Sequence, residues 1–247
     1  MRNSKYQRRF YRDWVRAKDL YPARIVAKET DIYIYTNKIL DKAFAEERIR
    51  SYRWEIERYI DRDRRFLVAL KPLEVELDAP EIIKEMSLQS KKAGVGPMAA
   101  VAGAVAEFLG RDLIRAGYKD VIIENGGDIY LKTTRSRRVG LYAGRSRAWN
   151  NLALKIMPKS TPLGVCTSSG TLAHSLSFGS ADSVSILSKS ASLADAVATA
   201  TANRIKSTKD LKNALEFAKG IKGVLGAVII MKNNLLSWGK IAVFDNQ

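Results

Sequence analysis

Three short segments of the chain carry side chains whose types and spacing can do chemistry. Asp195 and Thr199 stand four residues apart in SLADAVATATANRI, a run of small residues that predicts a helix. Residues i and i+4 share a helix face, so a carboxylate and a hydroxyl would point the same way. Two hard oxygens on such a helix can hold Mg²⁺ or Ca²⁺, with carbonyls and water completing the shell. A competing reading is local: Ser192 and Asp195 have capping-box spacing, in which the acid serves only the helix start.

The second segment is Asn125-Gly126-Gly127-Asp128, directly after the apolar run VIIE. Two glycines let backbone N–H groups approach a ligand, and the flanking Asn and Asp add polar side chains. Asn-Gly between two apolar runs is equally the signal of a tight hairpin. In the third segment Cys166 precedes Thr167, Ser168, Ser169 and Gly170, with His174, the chain's sole histidine, eight residues beyond Cys166. A thiol beside hydroxyl and amide donors could act as nucleophile or sulfur carrier with His174 as base, and the Ser-Gly loop could bind phosphate. The plain alternative is a small buried hydrophobe at the end of a strand. Gly94-Val-Gly96-Pro97 could cradle an anion at a helix N-terminus, but it lacks the rest of a P-loop or dinucleotide fingerprint.

These segments need elements to position them. TDIYIYT alternates like a strand, and DKAFAEERIRSYRWEIERYI reads as a helix with Phe44, Ile49, Trp54, Ile56 and Ile60 on its apolar side. MAAVAGAVAEFLGRDLIRAG is apolar nearly all round in its first half, which predicts a buried helix started by Pro97 and stopped by Gly117. VIIE and IYLKT flank the Gly-Gly turn as strands, and DSVSILS alternates as another. Thr208 is the expected cap of the helix ending at Gly220, and a final hairpin turns at Asn233-Asn234. Strands and helices mix without strict alternation, which favours an α+β domain around a large sheet.

The order of the motifs resembles the ApbE superfamily, whose best-known members are FAD:protein FMN transferases. Asn125–Asp128 is similar to that family's Gly-Gly-Asp turn, Ser169-Gly170 to its Ser-Gly loop, and Ala173-His174-Ser175 to the segment led by its His. Ala194-Asp195-Ala196-Val197-Ala198-Thr199-Ala200 resembles its metal-binding helix. The resemblance covers roughly residues 90–245, with an Arg-rich part over 1–70. It implies one ApbE-like domain over 1–247, a large mixed or antiparallel sheet packed by helices, Mg²⁺ at Asp195 and Thr199, and FAD or FMN as ligand. GVCTSSGTLAHSLSFGSADSV looks closer still to a short cytoplasmic branch of archaea and some bacteria. Some archaeal members of that branch look linked to sulfide assimilation and homocysteine formation, a resemblance that would make Cys166 and His174 catalytic and bring in a sulfur-transfer partner protein. The transferases' His-x-x-Asp-Pro-x-Thr-Gly is absent here, and so is their Lys-Gly before the buried helix, where Gly94–Pro97 stands instead. Both departures imply flavin binding without transfer of FMN to protein.

Composition sets the bounds. The 247 residues include 46% hydrophobic side chains, enough for a sizeable core, and one Cys, which excludes an internal disulfide or a Cys-based zinc site. With 42 Lys and Arg against 26 Asp and Glu the net charge is +16, which invites an anionic small molecule. Nucleic acid is the alternative partner, disfavoured because the N-terminal arginines are interleaved with acids and no nucleic-acid-binding motif is present. The N-terminus is basic without an apolar stretch, and the Ala/Val-rich run from Pro97 is too short to span a bilayer, so a cytoplasmic protein, free or as a homodimer, is expected.

Overall fold

The computed structural model describes residues 17–141, 149, 152–169, 179–239 and 243–245. Among these, eight strands form one antiparallel sheet in the order β1 (Tyr21–Ala27), β2 (Thr30–Thr36), β3 (Val121–Asn125), β4 (Asp128–Lys132), β7 (Leu163–Ser168), β8 (Ser183–Ser188), β9 (Val224–Met231), β10 (Asn234–Gly239). Three more strands, β5 (Arg137–Gly140), β6 (Leu152–Ile156) and β11 (Val243–Asp245), make a small second sheet with β6 in the middle. This is the expected α+β architecture.

Strand alternation sorts the large sheet into two faces. Ile32, Ile34, Ile123, Tyr130, Cys166, Val184, Ile186 and Ile229 point into a core shared with the helices. Ile122, Leu131, Leu163, Val165, Val228 and Ile230 point into a second core shared with Val139 and Leu154 of the small sheet. On the helical face lie α1 (Lys42–Arg62), the short α2 (Arg65–Val68), α3 (Glu81–Ala93), α4 (Val101–Arg115), α5 (Ala191–Asn203) and α6 (Leu211–Gly220). α5 packs on β7 and β8 and against α3 and α4, so it is enclosed on most sides. That explains why its residues are small and apolar nearly all round.

Several local expectations are corrected. The buried stripe of α1 is Ala45, Ile49, Tyr52, Ile56 and Tyr59. Trp54 falls outside that stripe and is 61% exposed, with the Arg58 guanidinium over its ring. Gly94 to Pro97 forms no anion cradle: Gly94 ends α3 at a left-handed φ of 73°, and Gly96 lies so close to the Ala69 carbonyl that a Cβ would sit 1.7 Å from its oxygen. Pro97–Ala100 is a 3₁₀ turn leading into α4. Ser207, not Thr208, makes the capping box before α6, with Asp210 as its acid. The last hairpin turns at Lys232-Asn233, between Met231 and Asn234.

No single helix among the described residues is long and apolar enough to cross a membrane. α3 and the 97–115 segment would qualify only together, but they meet at 100° and bury Ile82, Ile83, Met86, Leu109 and Leu113 in the core.

Candidate functional site

The hairpin between β3 and β4 closes on the pair Asn125 and Asp128. Gly126 and Gly127 form the turn with φ of 69° and 104°, values that a residue with a Cβ adopts at a cost. The Glu124 carboxylate accepts the Gly127 N–H at 2.8 Å, so that amide is already used within the turn. The turn's contribution is to place its two ends. Asn125 donates from Nδ2 to the Ala102 carbonyl of α4 at 3.0 Å. Asp128 starts β4 at 7% exposure, and one step of the β4–β7 ladder from the pair Ile129–Val165 sets it beside Cys166.

α5 brings Asp195 to the same corner. Its N-cap is Ser190, whose hydroxyl accepts the Leu193 N–H at 3.1 Å. The capping box expected at Ser192 is therefore not formed, and Asp195 is free of that duty. Its Oδ2 instead accepts the Gly103 N–H of α4 at 2.9 Å. Gly103 permits this approach, since a Cβ there would lie 2.4 Å from the Ala191 oxygen and 2.9 Å from the Asp195 Cβ. Thr199, one turn on from Asp195, is half-buried.

Two carboxyls thus meet in one corner, Asp128 buried and Asp195 half-buried. Burial, and then the charge of Asp195, pushes Asp128 well above the ordinary carboxylate range, against the hydrogen bond from the Thr167 N–H. Burial pushes Asp195 up to about 7, against the N–H groups of Gly103 and Ala102. The other charged group acting on Asp128 is Glu124, also acidic. Desolvation and like charge both disfavour the ionised form, so the corner calls for a cation or for protons. Ser168 adds a neutral donor. It is two residues on from Cys166 and so faces the same side, it is 5% exposed, and among the described residues its hydroxyl has no hydrogen-bond partner.

Cys166 does not have the activating surroundings expected of it. The thiol is fully buried and donates to the Ala191 carbonyl at 3.3 Å. Burial, then the Asp128 and Asp195 charges, push its pKa well up. A thiolate there would face two acids, the reverse of the electropositive setting a reactive cysteine needs. Thr167 turns its hydroxyl to Ser185 at 2.8 Å on the opposite face and offers the corner only its N–H. Ser169 is buried next to Ser168. Gly170 and His174 lie outside the described residues.

The structure therefore brings together Asn125, Asp128, Cys166, Ser168 and Asp195, with Thr199 one turn along. Reading the sequence missed the start of α4, where the Ala102 carbonyl and Gly103 N–H tie the corner together. Its only signal is a glycine inside an Ala/Val-rich helix, where glycine is disfavoured unless another backbone comes close.

Solved flavin transferases share this architecture. The apo flavinyl transferase ApbE of Pseudomonas stutzeri superposes with a TM-score of 0.59 at 12% identity, covering 90% of this chain and 94% of that one. The flavin transferase ApbE of Vibrio cholerae gives 0.55 at 12% identity, with 89% and 97% covered. At that identity the likeness defines the fold class. The family model described as "AbpE bacteria" matches residues 12–240, and the chain belongs to that ApbE-like family. Among its relatives are the UPF0280 protein MJ1526 of Methanocaldococcus jannaschii, 42% identical over 229 residues (90% of this chain, 91% of that one), and a UPF0280 protein of Methanocella arvoryzae. The latter is 43% identical over 189 residues, 76% and 77% of the two chains.

Proposed function

We propose that the chain binds an anionic small molecule, a flavin nucleotide together with Mg²⁺, at the corner between the β3–β4 hairpin, the end of β7 and the start of α4 and α5. One observation carries this reading: buried Asp128 and half-buried Asp195 share one corner, the charges acting on Asp128 are acidic, and the Ser168 hydroxyl beside them has no hydrogen-bond partner among the described residues. Asp195 and Thr199 fit a hard cation as oxygen donors. Among the described residues no three His, Cys, Asp or Glu side chains are arranged to hold an ion by themselves. Backbone carbonyls, water and ligand oxygens would complete the shell, as is usual for Mg²⁺. The cation would supply positive charge beside the two acids, which a nucleotide phosphate requires.

Binding without protein flavinylation is the form proposed, because His174-Ser-Leu-Ser-Phe178-Gly179 stands where the transferases carry Asp-Pro and Thr-Gly. The nucleic-acid alternative loses support from the ion pairs of described arginines: Arg24 with Asp31, Arg48 with Asp112, Arg53 with Glu29 and Glu57, Arg65 with Asp63. The same proposal takes 1–247 as one domain working in the cytoplasm. Titration with FAD in Mg²⁺, followed by flavin fluorescence, tests it. Saturable binding abolished by EDTA is expected, and a threonine-bearing acceptor protein added to the mixture keeps its mass. Absence of binding, or an FMN adduct on the acceptor, contradicts the proposal.

A further inference from the structure

Glu107 lies in the middle of α4 at 1% exposure, one turn after Gly103, and reaches across to the start of α5. Its Oε2 accepts the Ser192 N–H at 3.1 Å, the Ser192 hydroxyl at 3.2 Å and the Ser190 hydroxyl at 3.0 Å. Its other oxygen accepts from the Arg111 guanidinium. Ser190 is the N-cap of α5 and lies also within reach of Glu85 on α3, at 3.3 Å. A single buried carboxylate thus receives the first turn of α5 at the positive end of its dipole, a favourable place for an anion.

This contact has work to do because the neighbouring one cannot fix the register. α4 and α5 touch at Gly103 and Ala191, where a Cβ on Gly103 would strike the Ala191 carbonyl. Small residues let the backbones approach but offer no interlocking side chains against sliding. Polar contacts then add to the packing of α5 on β7, β8 and α3 in setting where it sits along α4. The contact nearest the corner, Gly103 N–H to Asp195, is itself part of the candidate site. The other is Glu107 on Ser190 and Ser192, one helical turn away on each helix.

We propose that Glu107 is a positioning residue: by gripping Ser190 and Ser192 it holds α5 in the register that sets Asp195 on the Gly103 amide, facing Asp128. The effect on ligand binding rests on the function proposed above; the effect on the Gly103–Asp195 contact does not. Glu107→Ala removes the grip, whereas Glu107→Gln keeps a carbonyl oxygen for the Ser192 N–H.

Two readouts test the proposal on the full chain. Hydrogen exchange of the Gly103 amide, read by NMR, is compared with that of the β8 and β9 amides, which report global stability. In Glu107→Ala the Gly103 amide should exchange roughly tenfold faster than the global change accounts for, and Glu107→Gln should restore most of the protection. The Mg²⁺ midpoint of thermal stabilisation should rise roughly tenfold in Glu107→Ala, the size usual for groups that orient a ligating side chain, with rescue by Gln. If Glu107→Ala does not fold, Ser192→Ala, which removes one donor to Glu107, carries the same comparison with a smaller effect. A loss of Gly103 protection no greater than that of the β-sheet amides overturns the proposal, as does a failure of Gln to rescue. Absence of any Mg²⁺ effect in the wild type would instead fail the function proposed above and leave the exchange test standing.

Discussion

Asp120 and Asp128 lie at the two ends of the β3–β4 hairpin and are equally buried, at 5% and 7% exposure, yet their surroundings differ. Asp120 receives the Thr133 hydroxyl at 2.9 Å, the Thr134 N–H at 2.8 Å and hydroxyl at 2.7 Å, and the Arg137 guanidinium at 3.4 Å. Burial pushes its pKa up, but these donors outweigh burial and leave it lowered. Arg137 in turn grips Asp19, joining the N-terminal segment to the small sheet. Asp128 has the Thr167 amide as its donor and Asp195 as its neighbour. A buried acid whose donors match its charge holds a fold together. One left without a counter-charge retains the capacity to bind.

Breaking the satisfied cluster should have the largest effect. Arg137→Ala leaves Asp120 buried without its cation, and should lower the unfolding free energy by about 3–5 kcal/mol in urea denaturation.

Asp195, the neighbour of Asp128, and Asp120 should also respond to pH with opposite sign. Asp195 has a folded-state pKa of about 7 against an ordinary 3.8. Between those values the folded protein keeps a proton that the unfolded chain releases, so this carboxyl's contribution falls as pH rises from about 4 through about 7. Asp195→Asn should remove that slope and gain up to about 4 kcal/mol at pH 8 relative to pH 4, without added cation. Asp120 is lowered, so its contribution is present above the ordinary carboxylate pKa and is lost as pH falls through the folded value. Asp120→Asn should be destabilised at pH 7 by about 1–3 kcal/mol. Parallel pH profiles for the two variants would erase the distinction between the clusters.

Cys166 gives the smallest energetic effect. Cys166→Ala should cost about 1 kcal/mol. Iodoacetamide should leave the folded wild type unmodified at neutral pH and label it only as it unfolds. Rapid alkylation in the folded state would show that the two acids do not govern the corner.

Much of the scaffold was legible because it follows local rules. The alternation of DSVSILS gave β8, the Gly-Gly pair gave the β3–β4 turn, and the small residues of ADAVATA gave a helix with Asp195 and Thr199 on one face. Where several local signals competed, tertiary contacts decided. Ser190 caps α5 because Glu107 and Glu85 receive its hydroxyl, which leaves Ser192 to Glu107 and Asp195 to Gly103. Trp54 reads as apolar and helical, yet it falls between the buried rows of α1. The character of Cys166 was beyond local reading, since the acids around it arrive from β4 and α5. Gly103 gave no polar signal, because its role is the absence of a side chain.

As proposed above, the Asp128–Asp195 corner binds a divalent cation, with Asp195 as the key donor. Thermal unfolding at pH 8 with and without saturating Mg²⁺, for wild type and Asp195→Ala, tests it most directly. Binding to the folded state alone raises stability by mass action, about 2.7 kcal/mol at a hundredfold excess over the dissociation constant. The account predicts a Mg²⁺-dependent rise of several degrees in the wild-type Tm and none in Asp195→Ala; equal wild-type Tm values with and without Mg²⁺, or an undiminished rise in the variant, would contradict it.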